Sequence, residues 1–229
     1  MMILTAEDIT AIGLSLKVAL TATALALPVG FAVAWLIVFK PMKGKVLLEV
    51  LINLPLTLPP VVIGYFLLLL LGKNGWLGKL LTASGIEVIF TWKAAVIASA
   101  VVGFPLLVRS IRLGMESIDQ QLIEASRSLG ASWFDSLVTI VLPLSLRGII
   151  AGSSLMFARS LGEFGATIIV AGNIPGITQT IPLAIYDYAS SPSSSTMALS
   201  LCIVSVVISV AVLFLHEILG RQLDRSSGL

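Results

Sequence analysis

The sequence predicts an all-α, polytopic transmembrane helical bundle of about five helices, and three observations carry that prediction. Of 229 residues, 57% are hydrophobic and only 11% are charged, with a mean hydropathy of +1.06. A soluble domain carries about a quarter charged residues. Uncharged runs long enough to cross a hydrocarbon core of about 30 Å recur along the chain. The basic residues, finally, sort to one side of those runs. No internal repeat and no soluble segment stands out, so residues 1–229 read as a single transmembrane domain.

The first span is read at 18–39, which has no charge. Lys17 at its outer end can snorkel, and Pro28 is expected to kink the helix. A basic turn holding Lys40, Lys43 and Lys45 follows. The second run, 50–72, contains Pro55, Pro59 and Pro60. Prolines remove backbone hydrogen bonds, tolerable in mid-membrane only against protein or a water-lined cavity. Pro59 and Pro60 therefore mark either a pore-facing break or a bent helix packed in the bundle. Trp76, Leu77, Leu80 and Leu81 suit a short interfacial helix.

The third span, 90–108, counts 15 uncharged residues between Lys93 and Arg109, so its ends must snorkel. Span four is read at 148–171 and span five at 197–215, with His216 as a lone interfacial histidine. Between them, 172–196 carries Pro175, Pro182, Pro192 and a serine cluster and reads as an external loop. A sixth span would need 180–189 to enter the membrane.

Orientation follows from charge. Lys40, Lys43, Lys45, Arg109, Arg112, Arg127, Arg147, Arg221 and Arg225 fall on one side, and Lys73, Lys79 and Lys93 on the other. The Lys/Arg-rich side is cytoplasmic. That expectation puts the loop 116–143 and the C-terminus inside and the N-terminus outside. Glu7 and Asp8 precede the first apolar run, unlike the basic start of a signal peptide, so no cleavage is expected. A net charge of +2 gives no reason to expect a nucleic-acid partner, and the single Cys202 allows no disulfide framework and no clustered metal site.

One polar-rich stretch interrupts the greasy sequence: EASRSLGASWFDSLVTIVLP at 124–143. Ser117 with Gln120 makes a capping box, so a helix can start near Asp119. Leu122, Ala125 (or Ser126) and Leu129 recur at helical spacing, and Gly130 is a natural left-handed stop. Ser132 with Asp135 offers a second cap, Trp133, Leu137 and Ile140 (or Val141) form the next stripe, and at Pro143 a helix breaks or restarts. Periodicity alone leaves open whether this is an amphipathic helix lying on the membrane or a loop that docks a partner.

Span four carries a charged pair. An unpaired Arg159 in mid-span costs at least about 3 kcal/mol, and Glu163 one turn on can neutralise it. Ser154, Ala158, Gly162 and Ala166 recur every four residues, a small-residue row that admits another helix. Two readings stand. The pair locks helices together, or it lines a translocation path in which Arg159 favours an anion.

Glu124, Ala125, Ser126, Gly130, Ile140, Leu142 and Pro143 resemble, in identity and spacing, the EAA loop of the membrane subunits of ABC importers, with Ser126 where the pattern has a second Ala. In that family the loop is a coupling helix seated in a groove of a cytoplasmic ATPase. The segment ARSLGEFGAT at 158–167, with Asn173-Ile-Pro-Gly176, Thr180-Ile-Pro-Leu-Ala-Ile-Tyr186, Leu58-Pro-Pro-Val-Val-Ile-Gly-Tyr65 and Gly72-Lys-Asn-Gly-Trp-Leu-Gly78, resembles the molybdate/tungstate permeases. Sulfate permeases share the GEFGA core but differ at the Asn-Ile-Pro-Gly and Thr-Ile-Pro-Leu segments.

The resemblance covers nearly the whole chain after residue 10. It implies a type I ABC importer permease fold in the cell membrane, importing molybdate or tungstate by alternating access, with sulfate or thiosulfate as the alternative substrate. It further implies a homodimer, a cytoplasmic ABC ATPase dimer and an extracytoplasmic molybdate-binding protein, all set in a lipid bilayer. Gly44-Lys45 is followed by Val46 and Gly78-Lys79 by Leu80, so the chain has no phosphate-binding loop. No bound cofactor is expected, and ATP belongs to a partner.

An ion-coupled secondary transporter would also use broken helices and midplane charges, but it has no need of the EAA-like loop. An intramembrane enzyme fits less well: no His-Glu-x-x-His occurs, and a salt-bridged Arg159–Glu163 is a poor acid–base couple.

Overall fold

The computed structural model describes residues 4–191 and 194–226, without the side chains of 219 and 221–226; Pro192 lies outside the described residues, as do the side chains of Arg221 and Arg225. All its described regular structure is helical. Helix α1 (Ala6–Phe39) is 34 residues long and starts earlier than hydropathy suggests. Thr5 and Asp8 close a capping box, with the Thr5 amide donating to Asp8 Oδ2 at 2.7 Å and the Asp8 amide to Thr5 Oγ1 at 3.2 Å. The helix runs through Pro28 without interruption.

A row of small residues, Ala22, Ala26, Gly30 and Ala34, is buried along α1. The row lets α5 (Trp92–Glu116) approach closely: a methyl group on Gly30 would lie 2.9 Å from Leu107 Cδ2. Helix α5 is the hub, packing most extensively on α1 and on α9 (Leu146–Leu161). Gly148 faces Gly114 with a hypothetical Cβ 3.0 Å from the Gly114 Cα, and Gly152 abuts the Leu107 carbonyl. These glycines make the close α5–α9 contact; of the row predicted at Ser154, Ala158, Gly162 and Ala166, the first three are part-exposed or exposed, and Ala166 is buried against Gly64.

The run 50–72 is not one helix. Leu58 and Pro59 each precede a proline, which disfavours the α conformation. Helix α2 (Lys45–Thr57) therefore ends there, α3 (Pro60–Leu71) begins with Pro60 in its first turn, and the two are bent by 114°. The run 148–171 is also divided. Helix α9 stops at Leu161, and a short α10 (Gly165–Val170) follows the turn at Gly162–Phe164. Helix α4 (Trp76–Ala83) packs on α3. Among the described residues, three helices (α1, α5 and Ser195–Ile218 of α12, which is Ser195–Ser226) are long and apolar enough to cross a membrane, or up to five with each bent pair counted as one.

Contacts sort the helix ends into two poles. At one, the Phe90 amide donates to the Val170 carbonyl at 2.9 Å, the Ile181 amide to Ser15 Oγ at 2.8 Å, and the Tyr188 hydroxyl to Asp8 Oδ1 at 3.0 Å. The last two bonds fasten α11 (Ile181–Ala189) to α1. At nine residues, α11 is about 14 Å long, too short to cross a bilayer. At the other pole, Arg112 Nη1 meets Glu49 Oε1 at 2.9 Å, and Trp35 meets Trp133 edge-on with ring centroids 4.5 Å apart.

Candidate functional site

The two helix breaks meet. A methyl group on Gly165 would lie 3.0 Å from Pro60 Cβ, and one on Gly64 would lie 2.8 Å from the Ala166 carbonyl oxygen. The Pro59–Pro60 break thus packs on the turn that carries Glu163, joining two candidates that stand a hundred residues apart in sequence. Glu163 is 2% exposed. Its Oε1 accepts a hydrogen bond from the Ala166 amide at 2.8 Å, and its Oε2 lies 2.8 Å from Arg159 Nη1. The Arg159 side chain is 31% exposed and Glu163's only 1%, so the two charges are not equivalent.

Arg159 lies on the most open face of α9, with Leu155 and Gly162 exposed to either side. It stands about 20 Å along the axis from Leu146. A guanidinium there is costly against lipid, so this face must meet water or protein. Phe164, next to Glu163, touches Tyr186 of α11 with ring centroids 5.2 Å apart. The break is therefore in contact with the capping helix of its pole.

At the opposite pole the EAA-like loop forms a hinged hairpin. Helix α6 (Gln120–Ser128) is capped by Asp119, whose Oδ1 accepts from the Gln121 amide at 2.9 Å. Ser117, assigned that cap from sequence, instead donates to the Gly114 carbonyl and finishes α5. Gly130 takes φ +93° with nothing within 4 Å of a hypothetical Cβ. Ser132 and Asp135 form the capping box of α7 (Trp133–Ser136), and a wide π-turn over Leu137–Val141 leads into α8 (Leu142–Leu144), which holds Pro143. The α7–α8 segment meets α9 at 64°.

The loop is anchored in the bundle core by Ile118 and Val141, with Ile123, Leu137 and Ile140 packed against it, while most of the rest is open. Helix α6 buries no residue. Glu124, Ala125, Gly130, Leu142 and Pro143 are exposed, and Ser126 and Ile140 are half-buried. Ser126 Oγ and Ser136 Oγ lie 2.6 Å apart and tie α6 to α7. Beneath α6 a cavity of about 320 Å³ is lined by Trp35, Lys40, Glu124, Arg127, Trp133 and Ser136. Leu129 is 90% exposed and Phe134 64%. Sequence periodicity placed Leu129 at helical spacing with Leu122 and Ala125 (or Ser126), without marking it as exposed. Its position in the most polar stretch of the chain was the overlooked signal.

Broken helices meeting beside a half-buried ion pair, joined to an exposed hinged loop, are the architecture of a membrane transport subunit. The chain belongs to the family described as the inner membrane component of binding-protein-dependent transport systems, whose model matches residues 26–225. It is 49% identical over 222 residues to the molybdenum transport system permease protein ModB of Haemophilus influenzae, covering 96% of this chain and 97% of that one. Against ModB of Escherichia coli K12 the identity is 48% over 221 residues, covering 96% of each chain. The sulfate transport system permease protein CysW of Synechococcus elongatus is 38% identical over 196 residues, covering 84% of this chain and 68% of that one.

Solved structures share the fold. A chain of the MetNI methionine ABC transporter in its inward-facing conformations superposes with a TM-score of 0.69 at 16% identity, covering 94% of both chains. One from an amino acid ABC transporter crystallised with histidines gives 0.67 at 19%, again covering 94% of both. The fold is that of an ABC importer permease.

Proposed function

We propose that this chain is the pore subunit of an ATP-driven importer that moves molybdate or tungstate into the cytoplasm by alternating access. The observation that carries the reading is identity near one half to molybdenum permeases over almost the whole of both chains. A sulfate permease also matches, at lower identity and coverage, and sulfate is the second reading.

The chain works as a homodimer, since one bundle with one open polar face supplies half a pore lining. It crosses the membrane five times, with α2–α3 and α9–α10 as broken spans, the N-terminus outside and the C-terminus inside. Lys40, Arg112 and Arg127, at the pole of the EAA-like loop, agree with a cytoplasmic location for it. The exposed Glu124, Ala125, Gly130, Leu142 and Pro143, with Leu129 and the half-buried Ser126 and Ile140, dock on an ABC ATPase dimer that hydrolyses ATP. An extracytoplasmic binding protein delivers the oxyanion to the pole of α11. Closure of the ATPases draws the loops together and turns the pore outward, and the Pro59–Pro60 and Arg159–Glu163 breaks form its gate.

The test is uptake of labelled molybdate and labelled sulfate by cells lacking this chain, each challenged with unlabelled tungstate. Selective loss of tungstate-sensitive molybdate uptake is the expected result. Loss of sulfate uptake alone would overturn the substrate, and loss of neither would overturn the importer.

A further inference from the structure

We infer that Glu163 is a positioning residue that holds and partly neutralises Arg159, and that of the two only Arg159 touches the oxyanion in transit. The inference rests on the permease reading above. It separates two residues that the sequence treats as one pore-lining pair.

Three observations divide the roles. Glu163 is almost wholly buried: its Oε1 accepts from the Ala166 amide, and its Oε2 makes an ion pair with Arg159 Nη1 at 2.8 Å but is not hydrogen-bonded. It has no face to offer a passing ion, and an anion would be repelled from it. The Arg159 side chain is 31% exposed on the open face of α9, and this ion pair engages Nη1. A guanidinium carries five N–H donors in a planar fork, so donors on its other edge can meet a tetrahedral dianion. The Ala166 amide that holds Glu163 Oε1, finally, belongs to a backbone packed tightly against Gly64 of α3, so the carboxylate is bonded to a well-fixed partner.

The chemistry explains why a conduit would keep both charges. A lone guanidinium in a low-dielectric passage binds a dianion strongly and releases it slowly, whereas transport needs binding strong enough to admit and weak enough to let go. Glu163 opposes the attraction without standing in the path. Its removal should therefore tighten anion binding and slow release, which a merely structural brace would not do.

The experiment uses the assembled importer without its binding protein, in nanodiscs, with labelled molybdate as the probe in equilibrium dialysis. ATP-driven uptake is measured in parallel with the binding protein present. Glu163→Gln, which keeps the shape and acceptor oxygen, should bind molybdate several-fold more tightly than wild type and turn over more slowly. Arg159→Gln and the double variant should lose specific binding, and Arg159→Lys should retain part of it. Glu163→Gln binding no tighter than wild type, or Arg159→Gln binding equally well, overturns the inference. If Arg159→Gln fails to assemble, the Glu163→Gln comparison decides alone. A wild-type complex that shows no ATP-driven molybdate uptake refutes the permease reading instead.

Discussion

Gly64 of α3 lies so close to Ala166 of α10 that a single added carbon would stand 2.8 Å from the Ala166 carbonyl oxygen and 2.9 Å from its Cα. The obstacle is backbone, which cannot rotate away. Gly64→Val should force α3 off α10 at a cost of roughly 1–3 kcal/mol or more, lowering the thermal midpoint of the detergent-solubilised protein. Gly13→Ala is the control: nothing lies within 4 Å of its added carbon, and a helical Gly-to-Ala change is neutral or stabilising. Equal midpoints for Gly64→Val and wild type would refute the tight crossing.

Gly130 poses the opposite case. Its surroundings are empty, so Gly130→Val meets no atom, only the strain of φ +93° at a β-branched residue, of order 1–3 kcal/mol. The bundle should assemble normally while substrate-stimulated ATPase activity of the complex falls at least several-fold. Full stimulation would mean that α6 does not need this turn.

Ser126 and Ser136 share one hydrogen bond across the hairpin. Ser126→Ala and Ser136→Ala should each cost about 0.5–1.5 kcal/mol of hairpin stability, and the double variant little more than either single one. Strict additivity in a double-mutant cycle of thermal midpoints would show that the two hydroxyls do not act as a unit.

Ser15 accepts from the buried Ile181 amide. Ser15→Ala strands that donor, a loss of about 1–3 kcal/mol, and should expose the α11 segment to protease first. Tyr188→Phe, which leaves Asp8 still bonded to Thr5, should cost less. The reverse order of protease sensitivity would contradict the bonding seen at this pole.

The helical class and the hinged loop were legible because they rest on composition and on residues with one dominant local behaviour. Gly130 turns left-handed and Ser132 caps α7 whatever else surrounds them. The break at Pro59 was legible for the same reason, because proline acts on its own backbone. The break at Glu163 was not. Gly162-Glu163-Phe164 carries no proline; there the Glu163 carboxylate accepts from the Ala166 amide, and the start of α10 packs on Pro60 and Gly64. Small residues were legible only in part: of the row Ser154, Ala158, Gly162 and Ala166, Ala166 meets a neighbouring helix closely, and Gly148, Gly152 and the α1 row make the other tight contacts. Which face of a helix meets a neighbour is a property of the assembled bundle.

The bonds that fasten α11 to α1 join residues 166 and 180 positions apart. At roughly 5–20 residues per second of synthesis, Ser15 and Asp8 leave the ribosome about ten to thirty seconds before Ile181 and Tyr188 exist. During that interval Asp8 is held only by its neighbour Thr5, and the N-terminal end of α1 has no lid. The first helix made is therefore among the last to be finished. An error near the end of the chain would leave its mark on the beginning, as a buried carboxylate still waiting for its tyrosine.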